Sequence, residues 1–125
     1  MKRVPYRHLV GALLYAMLST RPDIAFAVIQ VAKFSENPSP THWKAVKRIL
    51  RYLKGTAHYG ITYTMDGADF EVRGYVDSDW AGDTDTRRST AGYVFTVLGG
   101  PLTWAARLEK PVAQSSCVAE LIALN

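Results

Sequence analysis

The sequence predicts an α+β protein in which three helices come first, and three strands and a final helix follow. Two observations predict this order. Apolar residues recur every three or four positions up to residue 58, whereas β-branched and aromatic residues dominate the segments after it. Hydrophobic residues make up 48% of the 125 residues and charged residues 21%, a composition that excludes a disordered chain. The lone Cys117 excludes an internal disulfide framework.

Charge is distributed unevenly along the chain. Residues 1–58 contain ten Lys and Arg against two acidic residues, a net charge of +8. Residues 59–125 contain five Lys and Arg against nine acidic residues, a net charge of −4. The first region therefore suits a polyanion and the second suits a cation. We predict that the chain divides into regions 1–58 and 59–125.

The first helix is predicted over Tyr6–Leu18. Its apolar residues near helical spacing are Leu9, Leu13, Leu14, Met17 and Leu18. Lys2, Arg3 and Arg7 precede this apolar run, an order that also occurs in secretory signal peptides. No small-x-small cleavage pattern follows, and about ten apolar residues are too few to span a bilayer. The sequence therefore favours a buried amphipathic helix, and we expect neither secretion nor membrane insertion.

Prolines mark the limits of the next two helices. The second helix follows Pro22, which suits a first helical turn, and ends at the segment 37–40, which contains two prolines. Thr41 is the expected N-cap of the third helix. That helix is predicted over His42–Lys54 and is expected to stop at Gly55.

The third helix separates an apolar stripe from a cationic side. The stripe contains Trp43, Val46, Ile49, Leu50 and Leu53. The predicted nucleic-acid-binding residues are Lys44, Lys47, Arg48, Arg51 and Lys54. No acid balances these cations, which favours contact with a phosphate backbone, although a solvated helix face is the alternative. Trp43 and Tyr52 are candidates for base stacking, but Trp43 is expected to be buried.

The second region predicts strands joined by short turns. Residues 59–65 are rich in β-branched and aromatic residues, and Asp66-Gly67 is a turn signal. Residues 70–76 alternate and stop at Asp77, and residues 91–98 form another strand. Residues 99–101 turn into the segment 102–106, and residues 115–124 have helical spacing.

Four aspartates lie within nine residues: Asp77, Asp79, Asp83 and Asp85. Carboxylate oxygens suit Mg²⁺ or Mn²⁺, and the sequence has no Cys/His ligand cluster. A calcium loop starting at Asp77 would need a glutamate at its twelfth position, where Arg88 stands. The alternative is a solvated acidic turn capped by its own side chains.

Glu120 is the second acidic candidate. It lies on the predicted final helix among apolar residues, where a carboxylate needs a partner, a metal ion or solvent. Sequence spacing does not place Glu120 relative to Asp77.

Several stretches in one order resemble copia-type LTR retrotransposon polyproteins. The matching stretches are residues 6–15, 20–28, 42–43, 45–56, 59–61, 74–82 (Gly-Tyr-Val-Asp-Ser-Asp-Trp-Ala-Gly), 88–95, Trp104 and 115–116. The resemblance covers nearly the whole chain. It implies that residues 1–58 are a helical connector after the reverse transcriptase, and that residues 59–125 open a ribonuclease H-like fold.

The resemblance also implies roles for two residues. Asp77 maps to the first metal-binding aspartate of the ribonuclease H family and Glu120 to the glutamate of its first helix. Both would be catalytic ligands of Mg²⁺ or Mn²⁺ ions that activate water at an RNA phosphodiester in an RNA–DNA hybrid. Asp79 matches a neighbouring acid, to which we assign no direct metal contact. Expected partners are nucleic acid and the remainder of the polyprotein, in the cytoplasm or a virus-like particle.

The sequence departs from that family in two respects. Val118 replaces the first glutamate of the family's Glu-Ala-Glu, and no later strand with a further aspartate follows. We therefore expect a truncated domain that is inactive alone, with an unpaired strand edge open to self-association. Two alternatives are a non-catalytic nucleic-acid-binding remnant that uses residues 42–54, and a secreted partner-binding protein.

Overall fold

The computed structural model describes residues 4–65, 70–83, 86–110 and 112–124. They belong to two compact units, one reaching to Ile61 and the other starting at Thr62. The helices are α1 (Tyr6–Ser19), α2 (Ala25–Ala32), α3 (Pro40–Gly55) and α4 (Ser116–Ala123), with a 3₁₀ turn at Pro22–Ile24. The strands are β1 (Arg73–Asp79), β2 (Thr90–Val97) and β3 (Gly100–Leu108). The predicted α+β class is confirmed.

The helical unit is built around one buried face of α1, which packs against α2 and α3. Its buried residues are Tyr6, Val10, Leu13 and Met17, at helical spacing. The buried helix is thus confirmed, but Leu18 was wrongly placed on its buried face, since 63% of it is exposed. The Tyr6 hydroxyl donates to the carbonyl of Val31 at 2.7 Å, which joins α1 to α2. Burial raises the pKa of Tyr6.

Helix α3 begins earlier than predicted, because Ser39 rather than Thr41 is its N-cap. The Ser39 hydroxyl oxygen accepts from the backbone N–H of His42, while His42 Nδ1 accepts from the Ser39 N–H at 3.1 Å. This is a capping box in which histidine takes the place of the usual glutamate or glutamine. Pro40 occupies the first helical position, where its missing N–H has no partner to lose.

The sheet is antiparallel, in the order β1-β2-β3. Asp77 pairs with Gly92 and Asp79 with Thr90 across β1 and β2. Leu98 and Gly99 form the two-residue turn between β2 and β3, with φ values of 50° and 77°. Both residues lie in the left-handed region that a type I′ hairpin requires. The predicted turn at 99–101 is therefore displaced, because Gly100 already belongs to β3.

Two sequence-based strand limits were wrong. Residues 59–65 lie outside the strands, although the Thr64 N–H donates to the carbonyl of Leu98 at 3.0 Å. The Tyr63 hydroxyl donates to the carbonyl of Pro101 at 2.7 Å, so isolated bonds rather than a ladder hold this segment. Strand β1 runs from Arg73 through Asp79, which places Asp77 inside the strand instead of at its end. The predicted Asp66-Gly67 turn lies outside the described residues.

No helix in the described part of the chain is long and apolar enough to cross a membrane.

Candidate nucleic-acid and metal sites

Helix α3 gathers its cations on one side, which we call the cationic stripe. At about 100° per residue, the stripe covers an arc of roughly 120° around the helix axis. Its members are Lys44, Lys47, Arg48, Arg51 and Lys54, and all five are exposed. The opposite side is anchored by the buried Val46 and Ile49. Within the described residues, none of the five cations forms an ion pair. The stripe is thus an uncompensated positive surface on a packed helix.

Arg21 and Asp23 fix the C-terminal end of this helix. Arg21 is only 9% exposed, and its Nε and Nη2 donate to the two carboxylate oxygens of Asp23 at 3.0 and 2.8 Å. It also donates to the carbonyl of Thr56 at 3.2 Å and to its hydroxyl at 2.6 Å. Tyr52, on α3, donates its hydroxyl to Asp23 at 2.9 Å. This network joins the end of α3 to the segment before α2.

The same network sets the ionisation of its members. The hydrogen bond from Arg21 holds the pKa of Asp23 below its usual value. The hydrogen bond to Asp23 raises the pKa of Arg21 and, separately, the pKa of Tyr52. Sequence analysis missed this network, in which Arg21 is a structural cation and not a nucleic-acid contact. The available signal was the opposite charge pair flanking Pro22 immediately before a helix.

The aspartates after β1 have separate roles. Asp79 Oδ1 accepts from the Thr90 N–H at 2.6 Å, and a side chain at Gly82 would collide with this carboxylate. Asp83 is 8% exposed, and its Oδ1 accepts from the Thr86 N–H at 2.9 Å. These two acids thus match the alternative of a turn capped by its own side chains. Asp85 lies outside the described residues.

Asp77 is different, because its side chain is exposed and has no hydrogen bond or ion pair within the described part of the chain. Strand alternation puts it on the same face as Tyr75 and Asp79. Val76 lies on the other face, where it lines a groove with the last turn of α4, including Ile122. The sheet therefore fixes the position of Asp77, and its carboxylate makes no structural contact in the described part of the chain.

Glu120 is exposed on α4, which packs against β1 and β2. Ser115 caps this helix by accepting from the Val118 N–H at 3.3 Å, and Ala119 is fully buried. The structure thus places Asp77 and Glu120 on two elements in contact, but Asp77 lies on the face of β1 opposite to the groove that α4 lines. Among the described residues, however, no group of three or more His, Cys, Asp and Glu side chains is arranged to hold a metal ion. The described acids do not complete a metal site, and no catalytic step follows from them.

Fold and sites together define an α+β protein with a helical unit that presents a cationic stripe and a sheet unit in which Asp77 and Glu120 have no side-chain partner among the described residues. Comparison with known proteins finds related sequences that align with most of the chain. It is 52% identical over 123 residues to the retrovirus-related Pol polyprotein from transposon TNT 1-94 of Nicotiana tabacum. It is 42% identical over 115 residues to that from transposon RE2 of Arabidopsis thaliana.

The chain is homologous to a segment of the Pol polyproteins of copia-type retrotransposons. These matches cover 98% and 92% of the chain but only 9% and 8% of the two polyproteins. A further relative is the Secreted RxLR effector protein 161 of Plasmopara viticola, 48% identical over the whole chain and 87% of that protein. No family model and no solved structure matches the chain.

Proposed function

We propose that this chain is a nucleic-acid-binding segment of a Pol polyprotein. It would run from the helical connector of the reverse transcriptase into a ribonuclease H-like unit. The cationic stripe of α3 contacts the phosphate backbone of an RNA–DNA hybrid or another nucleic acid. The observation that carries this proposal is the stripe itself: five exposed cations within one arc of a packed helix, with no acid in the helix.

The packing of α3 supports backbone binding. Val46 and Ile49 anchor the opposite side, and the Arg21 network fixes the end of the helix, so the cations project from a rigid support. Between Lys44 and Lys54 the helix rises about 15 Å, long enough to follow several consecutive phosphates. Each phosphate that is neutralised releases counterions, so affinity is expected to fall steeply with salt.

A salt titration tests this proposal. The triple variant Lys44→Glu, Lys47→Glu, Arg51→Glu is compared with the wild-type chain for binding to an RNA–DNA hybrid. If each cation meets one phosphate, the slope of log affinity against log salt becomes less negative by about 2 to 3. A matched control reverses Arg87, Arg107 and Lys110, which are exposed in the sheet unit.

Control and triple variant have the same net charge, so only the position of the reversed charges differs. An unchanged slope in the α3 variant contradicts the proposal. So does an equal reduction in the control, because that result would reflect net charge and not the stripe.

For Asp77 and Glu120 we propose a part in binding Mg²⁺ or Mn²⁺ within the full polyprotein. Both are exposed, and the carboxylate of Asp77 has no structural partner in the described part of the chain. The remaining ligands would come from elsewhere in the polyprotein. We expect the 125-residue chain alone not to cleave an RNA–DNA hybrid. Mg²⁺-dependent cleavage that is lost in Asp77→Asn would show that the chain already contains a complete site.

The name of the Plasmopara viticola relative favours secretion as a second candidate function. Its letters RxLR describe arginine, any residue, leucine and arginine, and this chain contains Arg48-Ile-Leu-Arg51. Here the tetrapeptide lies in the middle of α3, with Ile49 buried and both arginines in the cationic stripe. Fusing residues 1–20 to a reporter tests secretion, and export of the reporter would support this candidate.

A further inference from the structure

An apolar groove lies beside the cationic stripe, between α2 and α3. Its volume is about 500 Å³. The apolar part of its lining comes from Ile24, Ala27, Val31, Ala45 and Ile49. Two exposed aromatic rings also line it: Phe26 is 53% exposed and Tyr52 is 44% exposed. The groove therefore combines an apolar lining with accessible ring surface.

Arg48 belongs to both features, since it is a member of the stripe and lines the groove. On α3 the angular order runs from the stripe through Arg48 to Tyr52 and then to the buried side. A ligand in the groove would thus contact Arg48 at the edge of the groove that borders the cationic stripe. Asp23, the acid that lines the groove, is already paired with Arg21.

The ring of Tyr52 is held in place. Its hydroxyl donates to Asp23 at 2.9 Å, and the Arg21 guanidinium lies 5.5 Å from the ring centroid. A ring fixed in this way loses little conformational entropy when a ligand stacks on it. Gln30, also on the groove, accepts from Lys33 through its side-chain oxygen at 2.9 Å, and its amide NH₂ carries further donor capacity.

We propose that this groove receives an unpaired base of a single-stranded nucleic acid whose backbone lies on the cationic stripe. The inference rests on the proposed function of the stripe and adds a preference for unpaired over fully paired nucleic acid. The chemistry matches on both sides: the base offers a flat face to Phe26 and Tyr52, and its phosphate lies toward Arg48. Aromatic side chains beside a positive backbone track are the usual means of binding single strands.

The test measures binding of the full chain to three fluorescent oligonucleotides of equal length: oligothymidylate, an abasic single strand and a fully paired duplex. Wild-type protein is expected to bind oligothymidylate about tenfold more tightly than the abasic strand, because stacking depends on the base. Phe26→Ala should remove most of that difference while leaving abasic binding unchanged, and Tyr52→Leu should also remove most of that difference. Tyr15→Ala is the matched control, since Tyr15 is an exposed aromatic on α1, 76% exposed and outside the groove.

The outcomes separate this inference from the proposal on which it rests. Equal, salt-dependent binding of oligothymidylate and abasic strand overturns the base site and leaves backbone binding intact. Absence of binding to all three oligonucleotides overturns both. Tyr52→Phe keeps the ring and should retain base discrimination, which guards against an effect of unfolding. Loss of discrimination in Tyr15→Ala to the same degree as in Phe26→Ala also overturns the inference, because the groove would then not be responsible.

Discussion

The helical unit and the sheet unit bury their apolar residues to very different extents. In the described residues, the helical unit buries residues from α1, the 3₁₀ turn, α2 and α3, among them Val28 and Val46, which are fully inaccessible. The buried apolar residues of the sheet unit are Ala113 and Ala119 alone in the described part of the chain. Many of its larger apolar side chains are exposed, including Tyr75 at 56% and Leu102 at 56%.

This difference shows that the two units are stabilised by different interactions. Burial of apolar surface is the main favourable term in folding, and the helical unit obtains it from its own helices. The sheet unit relies on ladder hydrogen bonds, and in the described residues β1 and β3 each pair with β2 as their only strand partner. Exposed strand edges and apolar faces are typical of surfaces that another element covers. Self-association through an edge, or contact with the rest of the polyprotein, stays a prediction.

The largest effect is expected from removing core volume in the helical unit. Leu13 is 2% exposed, and Leu13→Ala should lower the free energy of unfolding by about 2 to 5 kcal/mol. The same chemical change at the exposed Leu102 of β3 should cost less than about 1 kcal/mol. Urea unfolding of single-tryptophan variants measures both, with Trp43 kept to report on the helical unit and Trp104 kept to report on the sheet unit. Equal costs would contradict the contrast between the units.

A smaller effect is expected at the Arg21–Asp23 pair of the helical unit. None of the described ion pairs of the sheet unit contains a buried arginine. Asp23→Asn should destabilise the helical unit by about 2 kcal/mol at neutral pH, because Arg21 loses its charged acceptor. Asp77→Asn, at an exposed carboxylate without a partner in the described residues, is the matched control and should leave stability unchanged.

The pH dependence of the same pair has a defined sign. The folded pKa of Asp23 lies below its ordinary value of 3.8, so its stabilisation is present above that pH and is lost as the pH falls through the folded pKa. Wild type should therefore lose stability below about pH 4 more steeply than Asp23→Asn does. Thermal unfolding between pH 2 and 7 measures this difference, and parallel curves would contradict it.

The smallest effect is expected in the sheet unit, at the turn between β2 and β3. Leu98 has a φ of 50°, which costs a branched side chain about 1 kcal/mol or more. Leu98→Asn should stabilise the hairpin by up to about 1 kcal/mol, because asparagine tolerates this conformation better. Leu98→Ala shortens the side chain, but alanine does not tolerate a positive φ as asparagine does. This variant should therefore not stabilise the hairpin. A gain in melting temperature for alanine equal to that for asparagine would disprove the explanation.

Local sequence patterns predicted the four helices, but α2 ends at Ala32, before the segment 37–40 where its end was predicted. The apolar stripe of α3 was correct because helical periodicity alone puts Val46 and Ile49 on one side. The cations of the stripe follow from the same periodicity. The face of α1 was rotated, and Leu18 is exposed, because a continuous apolar run does not show which side its neighbours cover. The N-cap of α3 was misplaced because serine and threonine both suit that position.

Long-range features needed the tertiary structure. Residues 59–65 have strand composition, yet they lie outside the sheet, because pairing requires a partner strand in register and composition does not supply one. Asp77, Asp79 and Asp83 have similar sequence surroundings. Only the fold showed that two of them accept backbone N–H groups, while Asp77 remains unengaged among the described residues.

By itself, the sequence determined the α+β class, the stripe of α3 and the relationship to Pol polyproteins, because each depends on local periodicity or on the order of motifs. The tertiary structure decided which charges are structural and which are available. Arg21 and Asp23 neutralise each other because folding brings them together with Tyr52 and Thr56. The groove beside Arg48 likewise exists only because α2 and α3 pack together, which no local pattern specifies.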